Sequence, residues 1–464
     1  MVVKPISSGI ESFELSLLKN VIKEKYKGRS PVCYLHSYGC QQNVSDGEKI
    51  KGELERAGFV FCEDEESADL IVLNTCAVRE NAHERVYGKL GELKHLKERN
   101  KELVICVCGC MVQQEYVAEK IRETYPHVSL VFGTFALPSL HKMLYEVLAF
   151  KKRVFNISEN DDAQIYEDVP MVRGSKFKAY VTVMYGCNNF CTYCIVPYVR
   201  GRERSREPDA VISEVRQLVA EGYKEITLLG QNVNSYAYGF EKLLRALNDI
   251  EGGFWIRFMS SHPKDVSFEL IDTIVDCEKV CTHLHLPVQS GNDEILMRMN
   301  RRYDTKKYLE IVDYARSRED GFSFSTDIIV GFPGESYEQF CDTKAFVKKV
   351  GYDNIYSFVY SRREGTKACE LEDNISSKQK GLWLRELLDE QRETVEKLFQ
   401  RFVGRTLRVL VEEKSKKDGF LTGHSYENII VEFEGDESLT GSFCNVKILD
   451  AMNWALKGKL IDQI

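Results

Sequence analysis

Cys187, Cys191 and Cys194 stand on one short loop, read as Gly-Cys-Asn-Asn-Phe-Cys-Thr-Tyr-Cys over residues 186–194. An iron–sulfur cubane has its irons only a few ångströms apart, so a chain reaching three of them must curl tightly around one corner, as this spacing allows. A closed four-iron cluster takes four protein ligands. A loop that supplies three leaves one iron open to a ligand that is not protein, which is the arrangement of a chemical site rather than a store. Structural zinc would want four ligands, usually in two pairs, and the chain has no second Cys-x-x-Cys and no His-x-x-x-His.

A second set of three cysteines emerges from the pattern of the first 150 residues. Apolar runs at 32–38, 70–74, 103–107 and 128–132 alternate with amphipathic stretches at 43–57, 78–97, 112–124 and 137–148. That alternation predicts an open, doubly wound parallel α/β sheet in a first domain at 31–149. Cys40, Cys76 and Cys110 each follow one of its first three strands. The carboxyl ends of parallel strands form a shared ligand crevice, so residues far apart in sequence converge there. Gly39 and Gly109 permit the close turns such a site requires. The competing reading is that small polarizable cysteines fill a core. Cys106 and Cys108 share the third strand; Cys110 is assigned on its Gly-Cys context, with Cys108 as a rival ligand or sulfur store.

From about residue 178 a second alternation places strands at 179–184, 225–229, 255–260, 283–288, 322–330 and 355–360. Six parallel strands with helices outside make a partial (β/α) barrel, set at 173–403, whose active face lies at the strands' carboxyl ends. The 187–194 loop follows the first of them. The other ends carry Gly230-Gln231-Asn232, Ser260-Ser261-His262, Gln289-Ser290 and Gly331-Phe332-Pro333, which serve either as contacts for small molecules or as ordinary turns with N-caps. His283 and His285 share a strand face, pointing to substrate or satisfied by hydrogen bonds. A helix at 378–401, with Leu384, Leu387, Leu388, Val395, Leu398 and Phe402 on its apolar face, leads to a small all-β domain at 405–464 of oligonucleotide-binding barrel type.

Composition narrows the classes. The chain has 464 residues, 43% hydrophobic, enough for about three domains with cores of their own. Its fifteen cysteines are an odd number, and the first thirty residues contain no apolar leader. Together these exclude a disulfide framework and predict a cytoplasmic protein, neither secreted nor membrane-spanning. Cys33, Cys62, Cys277, Cys281, Cys341, Cys369 and Cys444 have no motif context and are expected in cores. The net charge of −8 excludes a generally basic coat. From residue 401 onward nine Lys or Arg face ten Asp or Glu, so nucleic-acid contact must rest on single side chains such as Arg405, Arg408 and Lys447, with Arg200, Arg202, Arg204 and Arg206 of the barrel.

The Cys-x-x-x-Cys-x-Tyr-Cys loop resembles the signature of the radical S-adenosylmethionine (SAM) enzymes. From about residue 31 onward, the three-cysteine α/β domain, the barrel and the terminal β-domain together resemble the methylthiotransferases, the last part resembling their TRAM domain. The words at 191–206, 228–236 and 325–335 are most similar to the MiaB branch, which acts on N6-isopentenyladenosine beside the anticodon of tRNA. The resemblance implies two [4Fe-4S] clusters. Cys187, Cys191 and Cys194 would hold the SAM-cleaving one, and Cys40, Cys76 and Cys110 an auxiliary one that carries sulfur. It implies SAM contacts at Tyr193, Gln231 and Asn232, and no catalytic residue beyond the cluster ligands. One SAM methylates the sulfur; a second gives a 5′-deoxyadenosyl radical that takes hydrogen from carbon two of the base. A radical is needed because no side-chain base, however tuned, deprotonates an aromatic carbon. The base must also leave its stack. The implied partners are the tRNA anticodon stem-loop, an electron donor of flavodoxin or ferredoxin type and a sulfur donor, with no membrane and a monomeric chain. The rivals are methylthiotransferases for threonylcarbamoyl-adenosine in tRNA or for a ribosomal-protein aspartate, and, from another class, a two-cluster electron carrier.

Overall fold

Central strands buried at every position, Leu70–Thr75 and Val104–Gly109, decide the architecture of the amino-terminal part. The computed structural model describes residues 12–78, 80–157, 165, 167 and 169–464; Arg79, three residues after Cys76, and the first eleven residues lie outside them. The chain divides into two compact units. The first runs to Gly174 and takes back residues 185–188 and 195–204; the second holds 175–184, 189–194 and 205–464.

In the first unit, β1 (Val32–Ser37), β2 (Val60–Cys62), β3 (Leu70–Thr75), β4 (Val104–Gly109), β5 (Leu130–Phe132) and β6 (Val154–Asn156) form a parallel sheet in the order β2-β1-β3-β4-β5-β6. Leu70, Val72, Val104, Cys106 and Cys108 face one apolar layer. Ile71, Leu73, Ile105 and Val107 face the other. Helices α1 (Phe13–Lys25), α2 (Gln41–Arg56) and α5 (Leu140–Phe150) cover the first layer; α3 (Glu80–Arg99) and α4 (Glu115–Thr124) cover the second. A sheet covered on both faces is apolar on both, as parallel sheets require. The expected domain gains α1, capped by Ser12, whose Leu15, Leu18 and Ile22 pack with Met143, Leu144 and Val147 of α5. It also gains β2 and β6, three residues each. A short helix, α6 (Val196–Arg200), belongs to this unit.

In the second unit, β7 (Lys178–Thr182), β8 (Glu225–Leu229) and β9 (Trp255–Phe258) form one parallel sheet, and β10 (His283–His285), β11 (Ser323–Val330) and β12 (Asn354–Val359) another. The seam between them is narrow: Cys281 N donates to Ile256 O at 3.0 Å and Ile256 N to Lys279 O at 2.7 Å. The six strands thus run in order around a partial barrel, wrapped by α7 (Pro208–Ala220), α8 (Phe240–Asn248), α9 (Phe268–Asp276), α10 (Asp293–Arg298), α11 (Thr305–Arg318) and α12 (Tyr337–Val350).

The linking helix α13 (Ser377–Phe399) differs from its expected face. Trp383, Leu387, Val395 and Phe399 are buried, Trp383 stacking on Phe340 at 5.2 Å, while Leu388 is exposed. The stripe from Trp383 through Leu387 to Gln391 keeps the i, i+4 spacing that one helix face requires, and Leu388 falls off it. Strands β13 (Thr406–Lys414), β14 (Phe420–Ser425), β15 (Ile430–Glu434), β16 (Phe443–Ala451) and β17 (Leu456–Gln463) close into a barrel ordered β13-β14-β15-β17-β16. The fifth strand, whose charged alternation hid it in the sequence, closes it by pairing parallel with β15 and antiparallel with β16.

This small barrel is fastened to the amino ends of the large barrel's strands through charge. Lys178 Nζ reaches Glu412 Oε1 at 2.8 Å and Glu225 Oε1 at 3.2 Å. Arg257 Nε donates to Glu225 Oε2 at 2.7 Å and its Nη2 to Ser425 O at 2.7 Å. The carboxyl ends, where chemistry is expected, stay clear of that contact. Among the described residues no helix is long and apolar enough to cross a membrane.

Candidate iron–sulfur and cofactor sites

β1, β3 and β4 are neighbours in the sheet, so their carboxyl ends stand side by side. Cys40 is the N-cap of α2, Cys76 follows the last residue of β3 and Cys110 the last of β4. Gly39 has φ +107°, and a Cβ there would come within 2.3 Å of the Cys76 Cβ. Gly109 has φ +96°, and its Cβ would meet Thr75 O at 2.4 Å. Only glycine lets these turns approach so closely. A hydrogen bond from the Cys40 thiol brings Cys76 down to about 7, and the same bond with burial raises Cys40. Burial holds Cys110 at about 11, against the pull of Arg200.

Around the thiols is a built polar frame. Asn43 Nδ2 donates to Tyr38 O at 3.0 Å and Thr75 O at 2.7 Å, which turns its oxygen toward Arg200 Nη2 at 2.9 Å. Asn74 Nδ2 donates to Asn43 O at 2.6 Å and Ser37 Oγ at 3.1 Å. Arg200 Nε donates to Cys110 Sγ at 3.1 Å, and its Nη2 pairs with Asp46 Oδ2 at 2.7 Å. Three thiols on one edge, a turn no Cβ could enter and a buried cation fit the charge and crowding of a three-ligand cluster. Among the described residues no three His, Cys, Asp or Glu side chains gather for a single metal ion; a cubane takes its ligands on different irons. Cys108 lies elsewhere, in the layer with Cys33, Cys106, Phe132 and Leu140, whereas Cys110 packs with Ala77, Ile195 and Val199. The strand ends at Gly109, whose φ of +96° turns the chain and separates the two thiols.

The 187–194 loop is braced at both ends. In the first unit, Cys187 N donates to Gly201 O at 3.1 Å and Asn188 N to Glu203 Oε1 at 3.1 Å. In the second, Cys191 and Tyr193 are buried with Ile295, Met299, Phe332 and Tyr360, and Cys194 N donates to Cys191 O at 2.9 Å. Asn300 Nδ2 donates to the carbonyls of Asn189 and Phe190, and Phe190 is held at φ 48°. Arg301 is 4% exposed. It places Nη1 3.4 Å from Cys191 Sγ and 3.5 Å from Tyr193 Oη, Nη2 on Pro287 O and Nε on Tyr303 Oη.

At the barrel's carboxyl ends, Asn232 Nδ2 donates to Asp265 Oδ2 at 2.9 Å while its Oδ1 is buried without a hydrogen-bond partner. Asn189 Nδ2, Ser261 Oγ and His262 Nε2 are buried and unpartnered in the same way. Buried polar atoms are normally satisfied, so four unpartnered ones gathered at one end of one barrel are candidates for ligand contact. Desolvation and the charge of Arg301 and Lys264 keep His262 far below the usual histidine range. Ser260 at φ 69° and Gln289 at φ 73° hold strained backbone at two of the strand ends. Gln231 is half-buried beside Asn232. His283 and His285 both bond Ser325 Oγ at 2.9 Å, so each is satisfied inside the barrel.

Three family models match successive parts of the chain: Uncharacterized protein family UPF0004 at 32–133, the Radical SAM superfamily at 181–347 and the TRAM domain at 400–461. The chain is 47% identical over 450 residues to the tRNA-2-methylthio-N(6)-dimethylallyladenosine synthase of Thermoanaerobacter pseudethanolicus, covering 96% of this chain and 95% of that one. Proteins of the same name from Acetivibrio thermocellus (46%, covering 95% and 93%) and Caldicellulosiruptor saccharolyticus (44%, covering 98% of each) match similarly. The chain belongs to the radical SAM methylthiotransferases. Among solved structures, the radical S-adenosylmethionine methyltransferase TsrM of Kitasatospora setae shares the fold at TM-score 0.53 and 14% identity, over 73% of this chain and 74% of that one.

As a radical SAM methylthiotransferase, this enzyme uses a [4Fe-4S] cluster and SAM. Two of the arginines expected to touch nucleic acid have other duties: Arg200 is buried against Cys110, and Arg206 is buried with Nη1 on Thr182 O at 2.8 Å and Glu214 at 2.7 Å. Arg204 lies over the rings of Phe135 and Tyr185. Arg202, Arg405, Arg408 and Lys447 are exposed. Arg301 carried no signal in the sequence, because it stands in no motif and only the folded barrel brings it to the loop.

Proposed function

We propose that this methylthiotransferase converts N6-isopentenyladenosine next to the anticodon of tRNA to its 2-methylthio derivative, consuming two SAM per turnover. The carrying observation is the match of 44–47% identity along nearly the whole chain to relatives named for that product. The TRAM barrel supports tRNA as the substrate class. Cys187, Cys191 and Cys194 are assigned to the radical-generating cluster, with Tyr193, Gln231 and Asn232 toward SAM. Cys40, Cys76 and Cys110 are assigned to an auxiliary cluster that presents sulfur. When bound, these groups supply the electron, the methyl group and the 5′-deoxyadenosyl radical. The chain's part is to hold the thiolates, exclude water and aim the base.

Support for the pairing comes from a repeated device: in each set one sulfur, that of Cys110 or of Cys191, takes a hydrogen bond from a buried arginine. For the barrel mouth it comes from the unpartnered polar atoms of Asn189, Asn232, Ser261 and His262, which suit polar ligands. We assign the domains as 31–149, 173–403 and 405–464, a monomer in the cytoplasm, served by a flavodoxin- or ferredoxin-type reductant and a separate sulfur donor.

The test is anaerobic incubation of the reconstituted enzyme with SAM, a reductant and tRNA bearing isopentenyladenosine, followed by mass spectrometry of the nucleosides. A methylthio product is expected. Conversion of threonylcarbamoyl-adenosine alone would overturn the substrate and leave the chemistry.

A further inference from the structure

Arg200 is a costly residue in its position. It is 6% exposed, and a buried guanidinium persists only where anions and acceptors surround it. The chain places it there by design of the local sequence. Ile195 and Val199, one helical turn apart across α6, pack against Ala77 and Cys110, and Val199 O accepts from Thr134 Oγ1 at 2.5 Å. The next side chain is thereby delivered to the cysteine edge. Its Nε points at the Cys110 sulfur, and its Nη2 is shared by Asn43 and Asp46. Asp46 is oriented in turn by Gln42, whose Nε2 donates to Oδ1 at 3.1 Å. Asn43 and Asp46, one turn apart on α2, thus converge with Cys110 on one cation from another segment.

We infer that Arg200 is a positioning residue for the auxiliary cluster, its guanidinium fixing the Cys110 sulfur and raising the potential at which that cluster accepts an electron. The inference rests on the assignment of Cys40, Cys76 and Cys110 as cluster ligands. Hydrogen bonds to cluster sulfurs and nearby charge set reduction potentials, because a donor or cation stabilises the more negative, reduced cluster. Asp46 opposes that effect by neutralising part of the guanidinium charge. The two residues therefore act on the cluster with opposite signs, which a purely structural pair would not.

The experiment uses the full chain with Cys187, Cys191 and Cys194 all changed to Ala, leaving one candidate cluster, reconstituted anaerobically with iron and sulfide. Iron content is measured first, then the midpoint potential by EPR-monitored titration. Arg200→Gln is expected to shift the midpoint to more negative potential and Arg200→Lys to restore part of the shift. Asp46→Asn is expected to shift it to more positive potential. Equal midpoints throughout the series would overturn the role of Arg200 while leaving the ligand assignment intact. A triple-alanine background that binds no iron would overturn the ligand assignment itself. Should Arg200→Gln lose its cluster, Asp46→Asn decides: a positive shift supports the inference and an unmoved midpoint rejects it.

Discussion

The guanidinium of Arg301 lies 3.4 Å from the sulfur of Cys191, buried inside the barrel. The same side chain reaches the Tyr193 hydroxyl, Tyr303 and the Pro287 carbonyl, so it ties the loop to the strand end that precedes α10. A donor so placed aims one sulfur, and its ring and backbone contacts fix the loop's curvature.

Replacing Arg301 should therefore damage radical generation before it damages RNA binding. Groups that orient metal ligands change metal affinity or activity by on the order of ten- to a hundredfold when removed. Arg301→Gln is expected to cut 5′-deoxyadenosine formation within that range while tRNA affinity holds. Arg301→Lys, which keeps a charge but cannot span Cys191, Pro287 and Tyr303 together, should recover only part. Both are read by chromatography of the SAM products and by a tRNA binding isotherm. Equal loss of binding and cleavage would mean that the side chain merely supports the fold.

Cys108 and Cys110 give the sharpest test of the sheet edge. They are two residues apart, a spacing that would share one face of a continuous strand, but the turn at Gly109 ends the strand and sends them into different buried clusters. Cys110→Ala should remove the auxiliary cluster, halving bound iron. Cys108→Ala should leave iron unchanged and cost about 1–2 kcal/mol of stability through the small cavity it leaves. Iron analysis with a denaturant titration separates the outcomes. Loss of iron in Cys108→Ala alone would reverse the assignment.

What the sequence displayed and what it hid differ by range. Cys40, Cys76 and Cys110 were legible because periodicity locates strand ends, and parallel topology brings such ends together. The short strands β2 and β6 were not, since three residues carry no period. The helix α1 was also missed: its Leu15, Leu18 and Ile22 acquire meaning only from α5, more than a hundred residues on. Arg200 stands in a run of four arginines that reads as a basic surface. Its burial follows from Asp46 and Asn43, partners 154 and 157 residues away, and no local pattern reports a contact at that distance.

The charged seam under the barrel predicts an acid sensitivity. Glu412 is mostly buried, which opposes ionisation, but His424 at 2.8 Å and Lys178 at 2.8 Å hold its carboxyl at about 2, below its ordinary 4.5. A folded-state value below the unfolded one stabilises the fold at any pH above about 4.5, and that contribution is lost as the pH falls through about 2. The parent should thus lose unfolding free energy between those limits faster than Glu412→Gln, measured by denaturant titration at stepped pH. Parallel curves would show that the seam contributes nothing through this carboxylate.

Glu335 predicts the opposite slope nearer the site. Its carboxyl is 4% exposed just beyond β11, where Oε2 accepts from Gly331 N at 2.6 Å and Phe332 N at 3.2 Å. Burial raises it to about 7, and the two amide donors with the charges of Lys380 and Arg298 offset only part of that rise. Here the folded state binds the proton more tightly than the unfolded chain. The stabilisation is complete below about 4.5 and is lost as the pH rises through about 7. A shift of that size corresponds to roughly 3 kcal/mol. Glu335→Gln keeps an acceptor for both amides without a charge to desolvate, so its stability should stay flat from pH 5 to about 8 where the parent declines. The same turn, Gly331-Phe332-Pro333-Gly334, is pinned from the other side by Arg298, which donates to the carbonyls of Pro333 and Gly334. Ionisation of Glu335 should therefore loosen this strand end first, and hydrogen exchange at the amides of Gly331 and Phe332 should quicken in the parent above pH 7 but not in the glutamine variant. Equal exchange in both proteins would place the titration elsewhere.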